Sequence, residues 1–425
     1  MPATETVAPA REFRTPRGRP HRRHRWAGIE RVGWTRDTIR LIERPALGGG
    51  HAGWYEGSGA GVLTAVVLLV GMAGAVCVVV TVLSAAMTLA VPRGTPVLIT
   101  RWVFVGMGAV FTALAAGSQD YRRRDRIMAQ YAPLTLLTLP AVWLVLVLTG
   151  YMAMFWAVGV RPWPSAFLES GSSMFTLGFR APDGVVTGAL AFSEAMLGLG
   201  LLALLVSYLP SIYASYSRRE LMVTALETQA GSPPSAVELL ERLARIDGLD
   251  DLDTFWQEWA SWFAGLEETH TSTPALVFFR SPQPDRSWVA AAGAVLDAAS
   301  LLASTLDVPR QPSAELCIRS GYLALRRIGD FYVMPYDPDP APDDPIAITR
   351  SEYDAACRRL AAAGAPLRPD RDQTWQDFAG WRVNYEAVLL RFASLCTAPP
   401  AMWSGDRAIP FRRAPVTRRR ARSRL

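Results

Sequence analysis

Four almost uncharged apolar stretches dominate the first half of the chain, at roughly 60–91, 97–117, 133–160 and 185–213. Each supplies the roughly 20 mostly apolar residues that a helix needs to cross a hydrocarbon core about 30 Å thick. The pattern therefore predicts an all-α integral membrane protein with four transmembrane helices. Pro92-Arg93-Gly94-Thr95-Pro96 joins the first two so tightly that they are expected to form an antiparallel hairpin, with proline closing each end. Between the third and fourth spans lies a polar segment, 161–184. In it Pro164 and Ser165 can start a short helix through Phe175, too short to cross. The chain is expected to enter the membrane there and return on the same side, as a re-entrant loop, because non-helical backbone at that depth survives only when buried in protein or lining water.

Beyond 213 the long runs give way to helical periodicity. Phe255, Trp259, Trp262, Phe263 and Leu266 mark one apolar face, and helices are expected over about 252–269, 287–306, 313–332 and 371–397. Ser235-Ala-Val-Glu238 and Thr349-Arg-Ser-Glu352 have capping-box spacing, so helices should also begin near 236 and 350. Gly231-Ser-Pro-Pro-Ser235 should end the helix leading out of the fourth span, and Leu276 to Phe279 is the one short stretch that reads as strand. The last helix spaces Phe378, Trp381, Tyr385, Val388, Phe392 and Leu395 by threes and fours, a seam for core packing rather than self-association. Five regions follow: a basic disordered leader 1–57, a transmembrane hairpin with its basic loop 58–132, a pore-like unit 133–217, an α-helical cytosolic C-terminal domain 218–400 and an Arg-rich disordered tail 401–425.

Charge orients the spans. The net charge of +6 in 425 residues comes from arginine alone, with eleven Arg between 11 and 44 and seven between Arg412 and Arg424. Beside a membrane domain such runs are assigned to anionic lipid rather than to nucleic acid. The loop from Ser118 to Gln130 carries Arg122, Arg123, Arg124 and Arg126, and Arg218 and Arg219 follow the fourth span. By the positive-inside rule this loop and both termini lie in the cytoplasm, and the segment 161–184 lies outside. The Arg-rich, Ala-rich usage suggests a bacterial plasma membrane.

Candidate chemistry is sparse. Cys77, Cys317, Cys357 and Cys396 are far apart, with no metal-ligand spacing, and His21, His24 and His51 lie in the leader. His270, beside Glu267 and Glu268 at a helix end, reads as a partner of the helix dipole. The acidic loop Tyr336 to Pro345 lacks calcium-loop spacing. No hydrolase, nucleotide-binding or zinc-protease motif occurs, so neither an enzyme, nor a cofactor, nor a bound metal is expected. Arg101 is the only arginine within the hairpin's second span, so that hairpin does not read as a voltage sensor.

Thr176-Leu177-Gly178-Phe179 resembles the Thr-Val-Gly-Tyr-Gly filter of the potassium channel family, and the resemblance covers 133–219. It implies a homotetramer in which backbone carbonyls replace the hydration shell of a monovalent cation such as K+. Gly178 would permit the unusual dihedrals, Phe179 would pack outward and the Thr176 hydroxyl would face the inner cavity. Arg180 stands where that family has its second filter glycine. In the short pore helix, Ser172 occupies the place of the family's filter-backing acid, Glu169 lies a turn earlier and Ser173 is adjacent. In the inner helix, Gly198 and Gly200 resemble its hinge glycine, and Glu194 is expected to face a water-filled cavity. The resemblance implies a cation channel, or a derivative with altered selectivity, regulated by its cytosolic domain through a ligand or protein left unspecified. The alternative is a non-conducting membrane receptor or scaffold whose cytosolic domain binds a partner.

Overall fold

The computed structural model describes residues 56–89, 98–118 and 120–410. The expected leader up to residue 55, the Pro92 to Pro96 turn and the tail from 411 onward lie outside the described residues. Among the described residues the fold is all-helical, with only an isolated bridge between Leu306 and Leu367. The helices are α1 (Glu56–Leu89), α2 (Leu98–Ala116), α3 (Tyr121–Ala129), α4 (Tyr131–Ala157), α5 (Trp163–Met174), α6 (Val185–Ala230), α7 (Ala236–Arg245), α8 (Asp253–Ser272), α9 (Trp288–Ser304), α10 (Pro312–Phe331), α11 (Arg350–Ala362) and α12 (Arg371–Leu395). Four helical stretches are long and apolar enough to cross a membrane: Gly61–Leu89, Leu98–Ala116, Tyr121–Ala157 and Val185–Ala230. By length and composition alone, these four are what a membrane protein requires.

Small residues bring the apolar helices together. The buried stripe of α1 includes Val78, Thr81 and Ala85, and Gly74 on the same face lies so close to α4 that an added Cβ would overlap the Gly150 carbonyl. At Gly71 an added Cβ would lie 3.0 Å from Ala157. Such close approach compensates for the missing hydrophobic drive between helices in lipid. Thr88 Oγ1 and Thr100 Oγ1, 2.8 Å apart, tie α1 to α2.

The C-terminal domain is built around α9, which is buried on nearly every side and apolar all round. Helices α6, α7, α10 and α12 pack against it, and α8 and α11 join the same core. Its acid, Asp297, meets Arg382 of α12, and the Tyr385 hydroxyl donates to the same carboxylate at 2.7 Å. The seam residues Phe378, Tyr385, Val388 and Phe392 are buried in this core. Thr349 and Glu352 form the expected capping box, and Ser235 accepts from the Glu238 N–H.

Three expectations need correction. Leu276 to Phe279 does not form a strand: Pro274–Phe278 is a 3-10 helix, because Pro274 fixes the first turn and the next residue is already extended. The tail expected from 401 begins later, since Trp403 is buried, Arg407 pairs with Glu352 at 2.8 Å and the Ile409 N–H reaches the Leu390 carbonyl at 3.2 Å. The basic loop contains a helix of its own, α3, capped by Asp120, whose carboxylate accepts from the Arg122 N–H at 3.1 Å.

Helix α6 joins the two halves. At 46 residues it is about 69 Å long at 1.5 Å per residue. Its last turns place Val223, Leu226 and Ala230 in the core of the C-terminal domain. Where it passes from one half to the other, the buried Arg219 donates to the carbonyls of Leu276 (2.8 Å) and Phe279 (2.7 Å) and pairs with Glu220 at 2.8 Å. Its Nη1 also lies 3.1 Å from His270 Nε2. Arg219 can only donate, so Nε2 accepts, and the proton sits on Nδ1, 2.9 Å from the Leu266 carbonyl. His270 is therefore a neutral acceptor rather than the helix-dipole cation expected from its position. Nearby, Arg280 pairs with Asp125 of α3 and donates to the Cys396 carbonyl at 2.7 Å, which fastens the basic helix to the same domain.

Burial, and then the adjacent Arg219, push the His270 pKa well below its ordinary value of 6.5. The unfolded chain binds a proton there that the folded chain refuses. Stability from this site is thus complete above pH 6.5 and falls on acidification by up to about 1.4 kcal/mol per pH unit. Unfolding midpoints in detergent should drop as pH falls from neutral through the histidine range, and His270→Gln should lose that part of the slope. Identical slopes in the two proteins would contradict the assignment.

Candidate functional site

The short helix α5 packs between α4 and α6. At 12 residues it is about 18 Å long, well short of a hydrocarbon core of about 30 Å. Pro162 precedes it and Pro164 sits in its first turn, where a missing N–H costs nothing. Trp163 stacks on Trp156 of α4 with ring centres 4.9 Å apart, and Arg161 lies over the same Trp156 ring. The start of α5 is thereby pinned to the end of α4.

At its other end α5 unwinds into 175–184 through an unusual backbone. Thr176 has φ of +52° and Gly178 has φ of +69°, while Leu177 between them stays at negative φ. A β-branched residue at positive φ is held there only if its surroundings insist. Here the insistence is local. The Thr176 N–H reaches the Ser173 carbonyl (3.1 Å), the Leu177 N–H reaches the Ser172 carbonyl (2.9 Å) and the Arg180 N–H reaches Ser172 Oγ (3.2 Å). Ser172 therefore holds the loop with both its backbone and its side chain. Phe175 to Arg180 are all exposed in the protomer.

The polar residues behind α5 brace it. Glu194 of α6 is fully buried, and its Oε1 accepts from Ser170 Oγ, which also lies 3.1 Å from the Leu148 carbonyl of α4. Its Oε2 has no hydrogen-bond partner among the described residues. One serine thus links three helices. Tyr151 donates to Ser193 at 2.9 Å, a second polar tie between α4 and α6. Glu169 is also buried on α5, and its carbonyl accepts from Ser173 at 3.0 Å.

Sequence reasoning expected Glu194 to face a cavity, but within the protomer it is enclosed behind α5. The two glycines divide. An added Cβ on Gly198 would overlap the Met174 carbonyl at the end of α5, whereas Gly200 has open space around it. Helix α6 runs unbroken through both, so Gly198 is a seat for α5 in this conformation. Glu169, Ser172 and Ser173 share α5 with Ser170, and Glu194 and Gly198 face that helix from α6; Gly200 stands apart. Ser170 was missed from the sequence. Its signal was the run Ser170 to Ser173 facing the lone acid of the fourth span.

The opposite face of α6 is bare and apolar. Val185, Val186, Phe192, Met196, Leu199, Leu202 and Val206 are all exposed, as are Leu177 and Phe179 of the loop. No protein-family model, curated protein or solved structure matches the chain.

Gly198→Ala should destabilise the protein by about 1–3 kcal/mol, the usual cost of overpacking. Gly200→Ala should be neutral or stabilising by up to about 1 kcal/mol, the helix-propensity gain. Unfolding in detergent compares the two directly; equal effects would contradict the seating of α5 on Gly198.

Proposed function

We propose that α4, α5, the loop 175–184 and the first half of α6 form one quarter of a cation-conducting pore, similar in build to the potassium channel family. The observation that carries this reading is the loop backbone. Left-handed Thr176 and Gly178 flank Leu177 just beyond a short helix braced from both sides, which supports reading this segment as the filter of the resemblance. In this reading α5 is the pore helix of a re-entrant loop, and Thr176 to Phe179 supply the carbonyl ring. One loop cannot close a ring. The uncovered loop and the apolar face of α6 support a homotetramer, since contiguous exposed apolar surface marks contact with lipid or another chain.

The membrane orientation follows from α3. Arg122, Arg123, Arg124 and Arg126 support a cytoplasmic side for it by the positive-inside rule, and its Asp125 is paired with Arg280 of the C-terminal domain. The C-terminal domain then lies in the cytoplasm, continuous through α6 with the pore-lining helix, and a ligand or protein bound to it would act on the pore through that helix. Arg180 shapes the selectivity. Its guanidinium forms no ion pair among the described residues, and four copies would set positive charge at the outer mouth. Weak discrimination and low conductance for K+ follow.

Arg180 also favours the second reading, a receptor or scaffold that keeps the architecture without conducting. Flux of K+, Na+ and Cl− from liposomes separates them. Cation flux that rises for K+ in Arg180→Gly, from a protein that crosslinks as a tetramer, is the expected result. A crosslinked species no larger than one chain, or no flux of any ion from wild type and Arg180→Gly alike, would overturn the channel.

A further inference from the structure

A groove in the C-terminal domain with a volume of about 910 Å³ lies between the loop 342–348 and the first half of α12. That is near the upper end of the range for ligand pockets, roomy enough for a peptide segment. One helical face of α12 lines it with Gln373, Asp377, Trp381 and Asn384, and Asp343 and Asp344 face them across the groove. The loop is held rigidly. Arg326 donates to the Pro338 carbonyl at 2.8 Å, Gly380 allows Pro342 to approach α12, and the Ala347 N–H reaches Glu386 at 2.7 Å.

The chemistry of the groove is cation recognition. Asp343, Asp344 and Asp377 make no ion pair among the described residues. Asp344 and Asp377 use one oxygen each on the Ala341 N–H and the Gln373 amide, which leaves acceptor capacity free. Trp375 and Trp381 add half-buried rings, the surfaces on which guanidinium groups stack.

The described chain also ends beside this groove. Arg407 Nη1 donates to the Ala347 carbonyl at 2.8 Å, and Ala347 lies between the groove residues Ile346 and Ile348. Three residues later the description ends at Pro410, and 411–425 follow with seven arginines and no acid. Fifteen residues extended reach about 50 Å. We propose that this groove is the docking site of the chain's own segment 411–425, with guanidinium groups of Arg412 to Arg424 on the three aspartates and the two tryptophans. The segment then occupies the domain surface instead of anionic lipid. This inference does not rest on ion conduction.

The test is crosslinking in the full chain, in detergent with an uncharged headgroup. Gln376→Cys in the groove is paired with Arg419→Cys in the segment, and Glu258→Cys on the exposed face of α8 serves as the control partner. After mild oxidation, peptide mapping should find an intrachain disulfide between 376 and 419 at least about tenfold above the control pair, equivalent to about 1.4 kcal/mol. Asp343→Asn, Asp344→Asn and Asp377→Asn together should reduce it to the control level with the unfolding midpoint retained. High salt should weaken it in the same way. Equal crosslinking at the two sites, insensitivity to the triple change, disulfides between chains, or protection of the segment only when anionic vesicles are added would each overturn the proposal.

Discussion

The structure depends on Arg219. At that residue a single helix leaves one apolar environment and enters another, and a guanidinium with almost no solvent contact must be satisfied there. Two carbonyls from the turn 276–279, the Glu220 carboxylate and the neutral ring of His270 do so. A buried charge with a partner removed typically costs about 3–5 kcal/mol. The cluster therefore fixes both the rotation of α6 about its axis and its depth against the C-terminal domain. Everything above it on α6, including Glu194 and Gly198, inherits that setting.

The same logic recurs where α5 is held. A short helix between two long ones leaves orphan backbone groups at its ends, and an apolar surrounding offers no water to satisfy them. Ser172 takes up the N–H groups of the loop, while Ser170 and Glu194 bridge to α4 and α6. Gly198 removes the one side chain that would keep Met174 from seating. Polar groups here do positional work.

Long-period features were readable in the sequence because they follow from composition alone. The four apolar stretches, the end of α6 before Gly231 and the starts of α7 and α11 all rest on local signals: hydrophobic length, helix breakers and capping boxes. Helix α3 was missed because four arginines obscured its cap at Asp120. Glu194 was expected at a cavity but is enclosed behind α5, because its partner Ser170 is 24 positions away in sequence, the same interval that separates Gly198 from Met174. His270 was misread for the same reason: its partner, Arg219, is 51 positions distant, and periodicity carries no information at that range. The domain's end was set too early because Trp403 and Arg407 pack individually, without a helical pattern to announce them.

Whether the loop after α5 conducts decides the account. Single-channel recording in planar bilayers under ion substitution measures that without reference to any other part of the fold. Discrete unitary currents, with a reversal potential that follows the cation gradient and ignores chloride, are the predicted result. A protein that is tetrameric and folded in the same bilayers yet silent in every cation, or one whose currents follow chloride, would contradict it.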